Sequence, residues 1–157
     1  MAFQHHDQQD AARETSAGVN LGPLPASVCF ALRRAQHMVT DDLVRTLQPL
    51  NLRPTYFAVL VVIGENPGLN QSEVSAALGI QRTNFVTIID HLETRGLVER
   101  HPSKEDRRSY ALHLTEEGRE VLNAARQLQA EHEQRLTQKL GQEGRELLLP
   151  LLRRLAA

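Results

Sequence analysis

Residues 70–115 read NQSEVSAALGIQRTNFVTIIDHLETRGLVERHPSKEDRRSYALHLT, and this stretch decides the fold. It opens with Asn70, a favoured helix N-cap, and Glu73 three residues later completes a capping box. The pattern predicts a short helix that ends at Gly79, because glycine readily adopts the backbone conformation that terminates helices. The apolar residues that this helix is expected to bury are Val74, Ala77 and Leu78.

A second helix is predicted over about residues 81–95. Its apolar residues recur every three or four positions and form one inward-facing stripe: Phe85, Ile88, Ile89 and Leu92. Polar side chains remain near its exposed N-terminal end, where donor-rich groups can reach base edges and phosphates in a major groove. The residues of this helix predicted to contact DNA are Gln81, Arg82, Thr83, Asn84 and Thr87.

After Gly96 the apolar residues change from a helical period to a period of two, which indicates strands. Leu97 and Val98 begin the first strand. Apolar residues alternate along the second strand: Tyr110, Leu112 and Leu114. Residues 101–109 (HPSKEDRRS) lie between the two strands as a polar, basic loop. Two helices followed by this hairpin predict a mostly α-helical (α+β) chain with a winged helix-turn-helix, a fold that binds DNA.

Four motifs in and around this stretch resemble the MarR family of transcriptional regulators. They are Leu78-Gly79-Ile80, residues 92–100 (LETRGLVER), Asp106-Arg107-Arg108 and residues 114–118 (LTEEG). The resemblance extends from about Pro25 to the C-terminus, and it implies a homodimer built from the N- and C-terminal helices. It also implies that Arg108 enters a minor groove of DNA with Asp106 as its support.

The charges of the predicted wing loop suit that role. A carboxylate can hold an arginine in one orientation, which lowers the entropic cost of inserting it into a narrow, electronegative minor groove. A solvated charge cluster at a hairpin tip is the alternative interpretation. The wing residues predicted to contact DNA are Lys104, Asp106, Arg107 and Arg108.

The predicted organisation is a flexible tail followed by one domain. Residues 1–22 form the polar tail, and residues 23–157 form a single MarR-type domain. Within that domain the winged helix-turn-helix covers about residues 54–115, between dimerisation helices at about 25–48 and 115–157. These flanking helices carry more leucine than the winged helix-turn-helix alone can bury. This excess of apolar surface favours a two-fold dimer that binds a pseudo-palindromic site. Packing of the helices within their own chain is the alternative.

The composition restricts the other possible functions. A formal net charge of −1 argues against a nonspecific polycation, so DNA binding has to depend on locally placed arginines. The single cysteine fits a reducing compartment, and the longest apolar run, residues 56–63, is too short for a membrane span of about 20 residues. We therefore expect a cytoplasmic protein that does not enter a membrane. Without a phosphate-binding loop, metal-spaced ligands or a nucleophile elbow, we expect no enzymatic activity, cofactor or metal site.

The first predicted helix offers two candidate signals, and the first is a thiol. Residues 29–32 (CFAL) resemble the segment that carries the peroxide-sensing cysteine in the OhrR branch of the MarR family, which makes Cys29 a candidate redox residue. The chain departs from that branch, since Arg33 and Leu43 replace two tyrosines and no second cysteine exists. The favoured interpretation of Cys29 is a small buried side chain, and an organic-peroxide sensor is the alternative function.

The second candidate signal is a small effector. A cleft with aromatic walls and a fixed cation suits an aromatic carboxylate or its coenzyme A (CoA) thioester. The residues predicted to form such a cleft are Phe30, Arg33, His37 and Tyr56. A core aromatic pair beside surface arginines is the alternative. The sequence thus predicts a homodimeric DNA-binding repressor that an aromatic acid or its CoA thioester releases from the operator.

Overall fold

A computed structural model of the chain describes residues 19–102 and 110–156. Its elements in chain order are α1 Val28–Leu47, α2 Pro54–Glu65, α3 Gln71–Ala77, α4 Arg82–Thr94, β1 Val98–Pro102, β2 Tyr110–Leu114 and α5 Glu116–Ala156, with single 3-10 turns at Leu24–Ala26 and Gln48–Leu50. The two strands pair antiparallel, with Val98 opposite Leu114. This order confirms the predicted mostly helical chain with a β-hairpin wing. Most of the predicted tail lies outside the described residues.

Residue contacts divide the chain inside α1 into a unit that ends at Asp41 and a unit that begins at Asp42. The second unit holds α2 at its centre, where α2 packs against α3, β2 and α5. The buried residues of α2 are Phe57, Val59, Leu60 and Ile63. The sequence of this helix is apolar on nearly every side, which predicts a central position, and the burial of these four residues confirms it. None of the described helices is long and apolar enough to cross a membrane.

Helix α3 begins at the predicted capping box. The side-chain oxygen of Asn70 accepts hydrogen bonds from the backbone N–H groups of Ser72 and Glu73 at 2.9 and 3.1 Å. The Glu73 carboxylate in turn accepts a hydrogen bond from the Asn70 backbone N–H at 2.7 Å. Three backbone donors that a helix start leaves unpaired are thereby satisfied, which sets the first residue of the helix-turn-helix.

The burial predicted for α3 is wrong in part. Val74 is buried as expected, but Ala77 is exposed and Leu78 is only half-buried. Ser75 is buried instead, and its hydroxyl donates to the Ser72 carbonyl oxygen at 3.0 Å. The inward side of α3 therefore lies between Val74 and Ser75. At 3.6 residues per turn, Ala77 is about 110° away from that direction, which leaves it exposed.

Helix α4 confirms the predicted apolar stripe. It spans Arg82–Thr94, inside the predicted range of 81–95, and Gly96 follows it with φ +69°. The four predicted stripe residues are all buried: Phe85, Ile88, Ile89 and Leu92. Since the stripe fixes which side of α4 faces the core, the polar side of its first two turns faces outward.

The start of α5 is joined closely to the end of α4. The Thr115 hydroxyl donates to the Gly96 carbonyl oxygen at 2.5 Å and accepts the Gly118 backbone N–H at 2.9 Å. Thr115 therefore caps α5, as predicted. Gly118 packs so tightly that a Cβ there would overlap the carbonyl oxygen of Leu97. The LTEEG motif thus supplies a cap and a close backbone approach at one junction.

Helix α5 has a break at Gly141, where the backbone takes φ 70° and ψ 158°. The sequence predicts a break bracketed by Gly141 and Gly144, and the structure places it at the first of these residues. Residues 142–156 continue as helix beyond it, with Pro150 inside. The C-terminal segment is therefore a separate helical arm whose direction is set at one residue.

A part-buried polar cluster joins the end of α1 to α5, and the sequence does not predict it. For α5 the sequence predicts a stripe at helical spacing: Val121, Ala125, Leu128, His132, Leu136 and Leu140. His132 is only 2 % exposed, and its Nδ1 lies 2.7 Å from the Asp42 carboxylate. Arg135 donates to the same carboxylate at 2.9 Å. Hydrogen bonds from His132 and then Arg135 lower the pKa of Asp42 to about 2. The predicted burial is confirmed at Ala125 and His132 but is wrong at Leu140, which is 45% exposed, and the partner of His132 is an ionised carboxylate.

Candidate nucleic-acid interface and ligand cavity

Helix α4 presents a polar surface at its N-terminal end. Gln81 is the N-cap, and its side chain makes no capping hydrogen bond, so its carboxamide is available to an outside partner. The residues predicted to contact DNA from this helix are all exposed: Gln81, Arg82, Thr83, Asn84 and Thr87. Thr83 and Thr87 lie one turn apart on the side opposite the buried stripe, and the other donors surround the N-terminal end of α4, the end that a recognition helix presents to base edges.

The described part of the wing consists of its two strands, which end at the Pro102–Tyr110 pair. On one face of the hairpin, the rings of His101 and His113 stack with their centroids 4.8 Å apart. His101 also lies 3.1 Å from the Glu99 carboxylate. The predicted wing contacts lie outside the described residues: Lys104, Asp106, Arg107 and Arg108.

Two arginines, Arg95 and Arg100, stabilise the C-terminal half of α4, and the sequence does not predict their contacts. Arg95 donates to the carbonyl oxygens of Asn51 at 2.7 Å and Leu50 at 3.0 Å. Arg100, on β1, forms ion pairs with Asp90 and Glu93 of α4. The only signal in the sequence is the alternation of arginines with carboxylates between residues 90 and 100, which does not identify the pairs.

Three of the four predicted ligand-binding residues line one cavity along α1. Phe30, Arg33 and His37 recur at three- and four-residue steps, so they share one face of the helix. The cavity measures about 580 Å³, and its described lining consists of Phe30, Arg33, Arg34, Gln36, His37, Met38 and Thr40. The Arg34 guanidinium lies 5.9 Å from the centre of the Phe30 ring. An aromatic ring and cations thus lie side by side on α1, and their binding of a ligand stays a prediction.

The fourth predicted ligand-binding residue, Tyr56, belongs to the other unit of the chain. It lies in the first turn of α2 and is half-buried. Its ring packs against His91 of α4 with centroids 5.2 Å apart, and the Arg53 guanidinium lies 5.9 Å from its centre. Tyr56 therefore links the central helix to α4, and its predicted contact with a ligand stays a prediction.

Side chains that could carry redox or metal chemistry are few in the described residues. Cys29 is exposed in the single chain, so the expected burial of this residue is wrong there. The reason is that Leu47 is the buried residue of α1, and Cys29 lies at the opposite end of that helix. Across residues 19–102 and 110–156, no group of three or more His, Cys, Asp or Glu side chains could hold a metal ion.

Comparison with known proteins shows which family the helix-turn-helix and its β-hairpin wing resemble. A family model described as MarR family matches residues 50–109. The chain is 33% identical, over 135 residues, to a putative transcriptional regulatory protein for the hcr operon of Thauera aromatica, a match that covers 85% of this chain and 81% of that protein.

Solved structures agree with the sequence comparison. The chain is similar to the transcriptional repressor CouR bound to a 23-mer DNA duplex, with a TM-score of 0.85 and 44% identity over 88% of this chain and 99% of that chain. It is also similar to CouR bound to p-coumaroyl-CoA, with a TM-score of 0.82 and 41% identity over 88% and 97% of the two chains. The helix-turn-helix, the hairpin and these matches together show that the chain belongs to the MarR family of winged-helix, DNA-binding transcriptional regulators.

Proposed function

We propose that residues 23–157 act as one MarR-type domain, a homodimeric cytoplasmic repressor that an aromatic acid or its CoA thioester releases from a pseudo-palindromic operator. The observation that carries the proposal is the group of exposed donors at the N-terminal end of α4, a helix whose apolar stripe is buried in the core. CouR is a repressor with a DNA-bound structure, and its similarity to this chain supports the same activity here. The family consists of regulators, and the proposal includes no enzymatic step.

A dimer is supported by exposed apolar side chains on both terminal helices. On α1 they are Val28, Met38, Val39 and Val44, and on α5 they are Leu140, Leu147, Leu148, Leu149, Leu151, Leu152 and Leu155. Large apolar patches of this kind are normally covered by a partner. MarR regulators are dimeric, and a two-fold dimer presents two copies of α4 to successive major grooves.

The effector class is supported by the cavity along α1. Arg33 is exposed and makes no ion pair with the described residues, so its guanidinium can bind a carboxylate or phosphate in a charge-assisted contact. Phe30 offers an aromatic surface beside it. CouR has a structure with p-coumaroyl-CoA, a ligand that combines an aromatic acyl group with phosphates, and this supports a CoA thioester for the present chain. Release requires the effector to bind the DNA-free state more tightly than the DNA-bound state.

Base recognition should depend on the outward donors of α4. Replacing Asn84 or Thr87 by Ala should change the preferred operator sequence, since each lost base contact costs roughly 1–3 kcal/mol of discrimination. Arg108→Ala should instead weaken binding to all duplexes and flatten its salt dependence, because a phosphate or groove contact releases counterions. Sequence selection from randomised duplexes, followed by mobility shifts at several salt concentrations, measures both effects. Unchanged selection by the Asn84 and Thr87 variants, or unchanged affinity of Arg108→Ala at moderate salt, would contradict these roles.

The effector is tested by comparing variants of Arg33 and Cys29. Arg33→Ala should keep operator affinity but raise the concentration of CoA thioester needed for release by at least about tenfold, the cost of a charge-assisted hydrogen bond. Cys29→Ser is the matched control on the same helix and should respond as the wild type does. Release is measured by titrating the protein–operator complex with aromatic acids, their CoA thioesters and organic hydroperoxide.

The second candidate function, a thiol-based peroxide sensor, is favoured by the exposure of Cys29 in the single chain. A sensing thiol needs access for the oxidant, and exposure provides it. In the same titrations this function predicts release by hydroperoxide for the wild type, no release for Cys29→Ser, and no effect of aromatic compounds. That pattern would replace the effector proposal.

A further inference from the structure

Arg100 forms a bridge between the wing and α4. It lies in β1, and its guanidinium contacts Asp90 at 2.5 Å and also pairs with Glu93. The Arg100 side chain is 21% exposed, whereas Asp90 is 57% exposed and Glu93 is 40% exposed. Its Nε is buried and has no hydrogen-bond partner within the described part of the chain. The arginine is therefore largely withdrawn from solvent, with both terminal nitrogens occupied by α4.

The geometry suits an arginine in particular. Asp90 and Glu93 are three residues apart on α4, so both carboxylates lie on one side of the helix. A planar guanidinium offers nitrogens in a fixed fork and can bind both carboxylates at once, which a lysine ammonium on its flexible stem does less well. Two contacts from one rigid group restrict rotation of β1 relative to α4. Neither carboxylate is among the residues predicted to touch DNA.

The charges at this bridge also matter for a helix that approaches DNA. Asp90 and Glu93 place two negative charges on α4, and uncompensated carboxylates repel the phosphate backbone. Arg100 neutralises part of that charge. A direct phosphate contact by Arg100 is the competing role, but both of its terminal nitrogens already bind α4 and most of its side chain is covered.

We infer that Arg100 is a positioning residue for DNA recognition: through Asp90 and Glu93 it holds the wing at a fixed angle to α4, and it does not itself contact DNA. The inference rests on the proposed DNA-binding function. It assigns Asp90 and Glu93 of α4 to the positioning of the wing. Sequence-specific DNA binding then depends on an ion-pair cluster that does not itself contact a base.

The test uses the full chain and the duplex that the wild type selects from a randomised pool. Arg100→Gln should weaken binding to that duplex by about fivefold, with little change for a mixed-sequence duplex. The double variant Asp90→Asn/Glu93→Gln should weaken it to a similar extent. This second result separates the two roles, because removal of two negative charges would by charge alone tighten binding to DNA. The triple variant should be no weaker than Arg100→Gln, since all three residues act as one unit.

Arg126→Gln is the matched control, because Arg126 forms an exposed ion pair with Glu65 away from α4 and should leave affinity unchanged. Arg100→Lys should recover only part of the affinity, whereas a phosphate contact would accept lysine. Urea unfolding of each variant shows whether it is folded at the assay temperature, and Asp90→Asn/Glu93→Gln carries the test should Arg100→Gln unfold. Tighter or unchanged binding by the double variant, with wild-type binding intact, would overturn the inference alone. If the wild type selects no duplex, the proposed function fails and the inference falls with it.

Discussion

Deletion of residues 144–157 is expected to abolish dimerisation and operator binding together. In the single chain, Leu147, Leu151 and Leu155 are 62%, 57% and 63% exposed, and their four-residue spacing places them along one side of the C-terminal arm. A leucine that becomes fully buried stabilises an interface by roughly 1.5–3 kcal/mol, so loss of several from each protomer removes most of the association free energy. Without the dimer, two copies of α4 no longer bind the operator jointly, and affinity falls by orders of magnitude.

Sedimentation velocity measures the association state of the truncated chain, and mobility shift on the selected duplex measures binding. Substitution of Leu147, Leu151 and Leu155 by Gln should give the same result without shortening the chain. Arg153→Ala/Arg154→Ala is the control, because it removes two charges from the same arm and leaves the leucines in place. A truncated chain that still sediments as a dimer and shifts DNA would show that the interface lies elsewhere.

Gly118→Ala is expected to be the most destabilising glycine-to-alanine change among the glycines that the structure describes. A Cβ at this position would overlap the Leu97 carbonyl oxygen and lie 2.9 Å from its carbonyl carbon. These atoms are backbone, so no side-chain rotation relieves the clash, and the junction between α4 and α5 has to separate. We expect a loss of about 3 kcal/mol or more in the free energy of unfolding, in the range of severe core overpacking.

Urea denaturation followed by circular dichroism measures that loss. Gly144→Ala is the matched control, since the nearest atom to a Cβ there is Leu140 Cβ at 3.6 Å, an ordinary contact. That variant should be neutral or gain up to about 1 kcal/mol, because alanine favours helix over glycine. Equal unfolding midpoints for the two variants would show that Gly118 does not approach Leu97 as described.

The sequence predicts the helix-turn-helix well because its signals are local. The capping box at Asn70 needs only a residue three positions away, and the stripe from Phe85 to Leu92 needs only the helical period. Burial of Ala77 was predicted from the same period and is wrong, since a helix of seven residues fixes its inward side poorly from pattern alone.

The ion-pair clusters could not be predicted in this way. His132 and Asp42 are 90 positions apart, and nothing in the spacing of either residue names the other. Periodicity predicts that position 132 is buried, whereas its partner depends on how the last turns of α1, from Asp42 onward, pack against α5. Arg100 is similar on a shorter scale, because its pairing with Asp90 and Glu93 depends on the turn at Gly96 that folds β1 back on α4.

The candidate site residues also differ in whether local spacing or tertiary packing places them. Phe30, Arg33 and His37 share a helix face by spacing alone, and the structure groups them around one cavity. Tyr56 was joined to them by chemical type, without a periodic relation, and its described contacts are His91 and Arg53. The exposure of Thr83 and Thr87 follows from the buried stripe on the opposite side of α4.

The break at Gly141 lets the backbone of one residue set the direction of the C-terminal arm, residues 142–156. Its backbone angles, φ 70° and ψ 158°, lie in a region that is essentially restricted to glycine. At 1.5 Å per residue, residues 142–156 reach about 22 Å beyond Gly141. A redirection of roughly 20°, the size of a sharp helix kink, would move the far end by about 8 Å, which is more than the width of a side-chain contact. The torsion angles of one residue therefore determine where the last leucines of the chain can meet another surface.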